Sequence, residues 1–316
     1  MIDLVFNELS LTPRFVDVAA ARQAMERFVA TITASRKGGI AGSLRVPENF
    51  YASDLTGDYS IANWQFDKDV SREKRLFLGQ LATKSPYLDG LLGSAVADRF
   101  DRSDFLFGST RALGLGVAYL LDAAGISLSN AAPWNTTSIT IQFATVEETS
   151  AEILDRAVEV RHVSEPDHVA VLVAQIRTQR LDAVDCGTAL WICCNEILDR
   201  LQFCAGVETQ MSSLTMGTGG VPLVLRALRE LQGACEAWED GAFDSRTIPN
   251  TTREGEATLQ KYGEERTFMK PDGEPELFSW HIKRGAFRIY FIPNPNDRTC
   301  LVGYVGPHLR TVRNRN

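Results

Sequence analysis

The chain has 316 residues, is 44% hydrophobic and 23% charged, and carries a formal net charge of −7. That length can bury a substantial core and allows two domains, and the composition excludes a disordered or disulfide-dense scaffold. Met1-Ile2-Asp3-Leu4 has no basic start, and the longest apolar stretch, residues 113–121, is too short for a bilayer and broken by Gly114 and Gly116; a cytoplasmic protein without a signal peptide is expected.

Residues 3–10 read as a short strand with Leu4, Val5, Phe6 and Leu9 as its apolar set. Thr12-Pro13 reads as the cap and first turn of a helix over 15–36, in which Val18, Ala21, Met25, Phe28, Val29 and Ile32 recur at three-to-four spacing before Gly38-Gly39 ends it. A second helix is expected over 69–81, with Leu76, Phe77, Gln80 and Leu81 inward. Phe105-Leu106-Phe107 leads into a helical stretch reaching Leu121, and Ser138 to Phe143 alternates as a strand that 157–163 can pair. From His168 the chain is mostly helical. Asp185 is placed to cap a helix with Leu190, Cys194, Ile197 and Leu201 on one face, and Pro222 opens another with Val224, Leu228, Leu231, Cys235 and Trp238 in a stripe. Gly, Pro, Asn, Ser and Thr gather over 241–252, the expected boundary between a body, 1–240, and a small C-terminal domain, 241–316. The fold class is α+β: a mixed N-terminal region, a helical middle and a small antiparallel C-terminal sheet.

Most motif readings fail on chemistry. Gly114-Leu115-Gly116 lacks the third glycine of a dinucleotide loop, so close helix packing explains it better. Gly217-Thr218-Gly219-Gly220 precedes a helix but lacks the lysine of a phosphate loop and reads as a connector. The six cysteines form no Cys-x2-Cys pair and have no histidine nearby, which argues against zinc and for reduced thiols. No Glu-x-Lys occurs for a restriction-type nuclease, and the nearest substitute, Glu159-Val160-Arg161, places an arginine that does not give up its proton. No metal and no cofactor are expected.

The last 36 residues differ from the rest. They hold seven Lys/Arg against one acid, Asp297, which leaves about −13 on residues 1–280. A run from His281 to Ile292, a turn at Pro293-Asn294-Pro295-Asn296-Asp297 and a second run from Cys300 to Val305 read as two strands. Alternation puts Phe287, Ile289 and Phe291 on one face and Arg288 with Tyr290 on the other. Metal-free RNA cleavage needs a base, an acid and cations for the phosphate. His281 or His308 could be base or acid, Tyr290 could position or donate a proton, and Arg288, Arg310, Lys283, Arg284 and Arg313 could hold phosphate. The competing reading is a basic sheet edge that discourages strand pairing or docks on a partner.

Gly285-Ala286-Phe287-Arg288-Ile289-Tyr290-Phe291, followed by Val302-Gly303-Tyr304-Val305-Gly306-Pro307-His308-Leu309-Arg310, resembles the C-terminal half of the RelE/ParE/HigB superfamily of bacterial toxins. The likeness covers about 65 residues, from Thr252 to Arg310. It implies a ribosome- or RNA-directed site at Arg288, His308 and Arg310. Pro307 and the missing terminal Tyr depart from the pattern, and the superfamily includes members that are not RNases. The whole chain also resembles bacterial proteins encoded beside antiviral defence genes. The expectation is a toxin-like RNA-processing effector with RNA, the ribosome or a defence protein as partner. The alternative is a non-enzymatic protein whose basic tip docks on nucleic acid or an acidic subunit.

Overall fold

The computed structural model describes residues 2–82, 87, 94–146, 153–217 and 219–312. Contacts divide the chain into two units, Met1–Ile176 and Arg177–Asn316. The fold is α+β.

The first unit contains β1 (Ile2–Phe6), α1 (Val18–Lys37), β2 (Ala41–Arg45), α2 (Ile61–Phe66), α3 (Arg72–Ala82), α4 (Ala95–Asp101), β3 (Ser103–Phe107), β4 (Thr110–Arg111), α5 (Leu113–Leu120), β5 (Ala124–Ile126), β6 (Ser138–Val146), β7 (Ile153–Val163) and the start of α6 (His168–Asp182). Its seven-stranded sheet runs β2-β1-β5-β7-β6-β3-β4, with β2, β1, β5 and β7 parallel and the rest antiparallel. β1 is apolar nearly throughout because both of its faces are covered: Leu4 and Phe6 meet Met25 and Phe28 of α1, while Val5 joins a second cluster with Phe105, Leu115 and Phe143. The cap of α1 is Asp17, whose carboxylate accepts the Ala20 amide, not Thr12. On α3 the buried residues are Leu78 and Ala82; of the expected inward set Phe77 and Leu81 pack against the core, whereas Leu76 and Gln80 are exposed. At the start of α5, Glu8 accepts the amides of Leu113 (2.6 Å) and Gly114 (2.9 Å), and a Cβ on Gly114 would strike the Phe6 carbonyl. That carboxylate fills the anion position of the helix end.

The second unit holds the end of α6, then α7 (Gly187–Ile197), β8 (Leu201–Phe203), α8 (Ala205–Ser212), α9 (Gly220–Glu236), β9 (Thr251–Arg253), α10 (Glu256–Tyr262), β10 (Thr267–Met269), β11 (Pro275–Leu277), β12 (Trp280–Arg284), β13 (Phe287–Asn294) and β14 (Thr299–Pro307). α7 begins after Cys186, not Asp185. The five-stranded sheet has the order β8-β14-β13-β12-β9. It is not wholly antiparallel: β14 pairs with β8 in parallel. The boundary expected over 241–252 falls inside this unit, because β8 and the α9 stripe of Val224, Leu228, Leu231 and Cys235 share one core with Ile282, Ile289, Phe291 and Val302. A linker-like composition there marks a surface loop that leads into an edge strand.

Candidate functional site

Strand pairing decides which basic residues share a face. β12 and β13 match His281 with Tyr290 and Lys283 with Arg288, and β9 sets Thr252 opposite His281. Residues opposite one another point the same way, so these five lie together, while Ile282, Arg284, Ile289 and Phe291 face the α9 side. The two strands join through Gly285-Ala286, with Gly285 at φ 55° in the first loop position, where a type II′ hairpin turn needs a positive φ.

Over this outer face lies a cavity of about 550 Å³, lined among others by Thr252, Glu254, Thr258, His281, Lys283 and His308. Its anchor is Glu254, just past β9. The Tyr290 hydroxyl donates to Glu254 Oε1 at 2.6 Å, and Arg266 Nε pairs with the same oxygen at 3.1 Å. Burial pulls the Glu254 carboxyl upward, but the Tyr290 hydrogen bond and the Arg266 charge override it and hold the group below its ordinary value. Arg266 is 0% exposed. It also donates to the carbonyls of Tyr262 (3.2 Å) and Arg310 (2.8 Å) and lies 5.6 Å over the Tyr290 ring.

His281 sits beside this pair, 5% exposed, with Nδ1 3.7 Å from Glu254 Oε1. Burial pushes its imidazole down to about 4; Glu254 opposes the shift, while Lys283, Arg288 and Arg266 reinforce it. The ring is therefore neutral at pH 7. Nδ1 of His281 and Nδ1 of His308 are both buried without a hydrogen-bond partner. Orphaned polar atoms of this kind call for an explanation, and two of them around one cavity mark it as a site.

The expected residues separate into groups. His281, Lys283 and His308 line the cavity. Tyr290 lies beneath it, 1% exposed, and both burial and its bond to Glu254 raise its phenol, so it holds a carboxylate in place and has no access to a substrate. Arg288 is half-buried and donates to the carbonyls of Gly285 and Phe287 on its own hairpin. Arg284 is buried on the opposite face, bound to Glu230 of α9 and to the Pro249 carbonyl at 2.7 Å, so it is a structural ion pair and not a nucleic-acid contact. Arg310 sits outside the lining, with Nε 2.6 Å from Glu265 Oε1. Arg313 lies outside the described residues. Glu254 and Arg266 were missed. Neither sits in a periodic segment, and Glu264-Glu265-Arg266 reads in sequence as a solvated charge run.

Among the described residues, no three His, Cys, Asp or Glu side chains gather as metal ligands, and no helix is long and apolar enough to cross a membrane. The chain matches no protein-family model, no curated protein and no solved structure.

Proposed function

We propose that the second unit is a toxin-like RNA-processing module of bacterial antiviral defence, acting in the cytoplasm without a metal. The observation that carries this reading is that His281, His308 and Lys283 line one cavity above a neutralised carboxylate. In the reaction, neutral His281 takes the proton of a ribose 2′-hydroxyl. The 2′-oxygen then attacks the adjacent phosphorus, the bond from phosphorus to the 5′-oxygen breaks, and His308 in its protonated form hands that oxygen a proton. The products are a 2′,3′-cyclic phosphate and a 5′-hydroxyl. Lys283 meets the charge that grows on the phosphate oxygens. Glu254 lies a few tenths of an ångström beyond hydrogen-bond reach of His281 Nδ1, a gap that contacts in free enzymes often close on substrate binding. Closing it would fix the opposite ring nitrogen as the base. An arriving phosphate also favours the imidazolium, which offsets the low basicity that burial imposes.

The test is incubation of the full chain with single-stranded RNA in the presence of a chelator, with products read by mass spectrometry. We expect cyclic-phosphate ends from the wild type, and a loss of about 10²-fold or more in His281→Ala and in His308→Ala, the usual weight of one acid or base. RNA that is neither bound nor cut by the wild type overturns the reading. The alternative is a non-enzymatic docking protein, which has fewer free cations to draw on because Arg284, Arg288 and Arg310 are committed to partners within the chain. That alternative predicts binding that weakens steeply with salt and no cleavage.

A further inference from the structure

His308 does not belong to the sheet. β14 ends at Pro307, and the cavity receives His308 only because the following segment is folded back over it. Two sets of contacts bracket that histidine. Before it, the Tyr304 hydroxyl donates to the Pro307 carbonyl at 3.0 Å. After it, Arg310 is held by side chain and backbone together: Nε donates to Glu265 Oε1 at 2.6 Å, Nη2 pairs with the same oxygen, and the backbone amide donates to Oε2 at 3.2 Å. Its carbonyl accepts from buried Arg266, and the guanidinium carbon stands 5.3 Å over the Tyr262 ring. Glu265 and Arg310 are 25% and 58% exposed, so the pair forms at the surface, whereas Thr311 and Val312 beyond it turn back to line the cavity.

We propose that the Glu265–Arg310 pair is a clamp that sets His308 in the site, so that both are positioning residues and Arg310 is not a phosphate contact. The inference rests on the reading of His308 as a site residue. A stretch without regular structure has many conformers, and two residues of slack allow an imidazole several ångströms of travel. A carboxylate that takes both the guanidinium and the amide of Arg310 removes that slack. A misplacement of about 1 Å is enough to cost roughly two orders of magnitude in rate, so a clamp distant from the chemistry controls it.

Charge exchange separates a clamp from a phosphate ligand. Glu265→Arg, Arg310→Glu and the double exchange are made in the full chain, with Glu265→Gln as a milder variant that keeps shape. The imidazole signals in nitrogen–proton spectra report His308 directly, and with four histidines in the chain a His308→Ala spectrum assigns it. Cleavage and binding of a fluorescein-labelled single-stranded RNA are measured beside them. Each single variant is expected to move the His308 signals and to lower turnover about tenfold or more with little change in KM. The double exchange remakes the charge pair but not the acceptor for the residue 310 amide, so it restores both in part. Failure of the exchange to return the His308 signals any part of the way overturns the clamp. So does an RNA affinity that rises with Glu265→Arg and falls with Arg310→Glu whatever stands at 265, because that pattern makes Arg310 a phosphate ligand. If the wild type cuts no RNA, the cleavage reading falls, while the His308 signals still decide whether the clamp exists.

Discussion

At the scale of single residues, burial decides which polar groups are free to act. His162 of the first unit is 0% exposed; Nε2 lies 2.7 Å from Ser127 Oγ, Nδ1 2.8 Å from the Thr136 carbonyl, and Asn7 also donates to Ser127. With Nδ1–H donating to Thr136, Nε2 accepts from the serine, which requires a neutral ring. Burial, with His168 adding repulsion, pushes its imidazole down to about 4. The unfolded chain takes up the proton near 6.5, so the unfolded state binds more protons between those values. Stability therefore falls as the pH drops from about 6.5 to 4, by roughly 3 kcal/mol if the full shift is realised. Urea unfolding at a series of pH values is expected to show this slope, and His162→Gln to flatten it. An unchanged slope would mean that the network tolerates the charge. The same comparison explains what the sequence could show of the candidate site. His281, Lys283 and His308 were legible as titratable or basic residues on a basic edge. The roles of Arg284 and Arg310 were not, because a charge count cannot see that Glu230 and Glu265 already hold them.

Elements were legible wherever one face alone is buried. The α9 stripe, the β6 alternation and the hairpin of β13 and β14 follow from period and turn chemistry, whereas the run from His281 to Ile292, read as one strand, breaks at Gly285-Ala286 into β12 and β13. Elements covered on both sides, or held by distant partners, were not. β8 is a three-residue strand that exists only because β14 lies beside it, and the β10–β11 hairpin has no signature of its own. A bulge in β14 shows how closely that hairpin docks. Tyr290 pairs with Tyr304 and Phe291 with Val302, which leaves Gly303 unmatched, and a Cβ there would stand 2.6 Å from the rings of both Phe268 and Phe278. These rings roof Tyr290 and Tyr304, with Phe268 stacked 5.6 Å from Tyr304. Gly303→Ala is thus expected to destabilise the second unit by about 1–3 kcal/mol through overpacking, measured by urea unfolding. It should also loosen Tyr290 from Glu254, visible as a lowered phenol titration. A neutral substitution would show that the roof moves aside at little cost.

At the scale of the molecule, the core of the second unit sets where the chain can be divided. The stripe of α9 and the strand β8 contribute to the same core as β12, β13 and β14. A fragment beginning at residue 241 lacks both, and exposes Ile282, Ile289 and Phe291 to water. We expect it to be unfolded or aggregated, whereas a fragment of 177–316 folds, as judged by circular dichroism and dispersed amide spectra. A folded 241–316 fragment would restore the smaller domain that composition alone suggests. The sequence misplaced this boundary because polar, glycine-rich loops occur within domains as well as between them, and only long-range pairing tells the two apart.

The parallel pairing of β14 with β8 also fixes an order in time. Ninety-five residues separate Phe203 from Thr299, and β14 lies between β8 and β13 in the sheet. On the ribosome, at about 5–20 residues per second, β8 waits roughly 5–20 seconds for the strand that joins it to the rest. Until it emerges, β9, β12 and β13 have no link to β8, and the cavity has no His308. If the second unit cuts RNA as proposed, a nascent chain that has not yet released β14 and His308 is inert toward it.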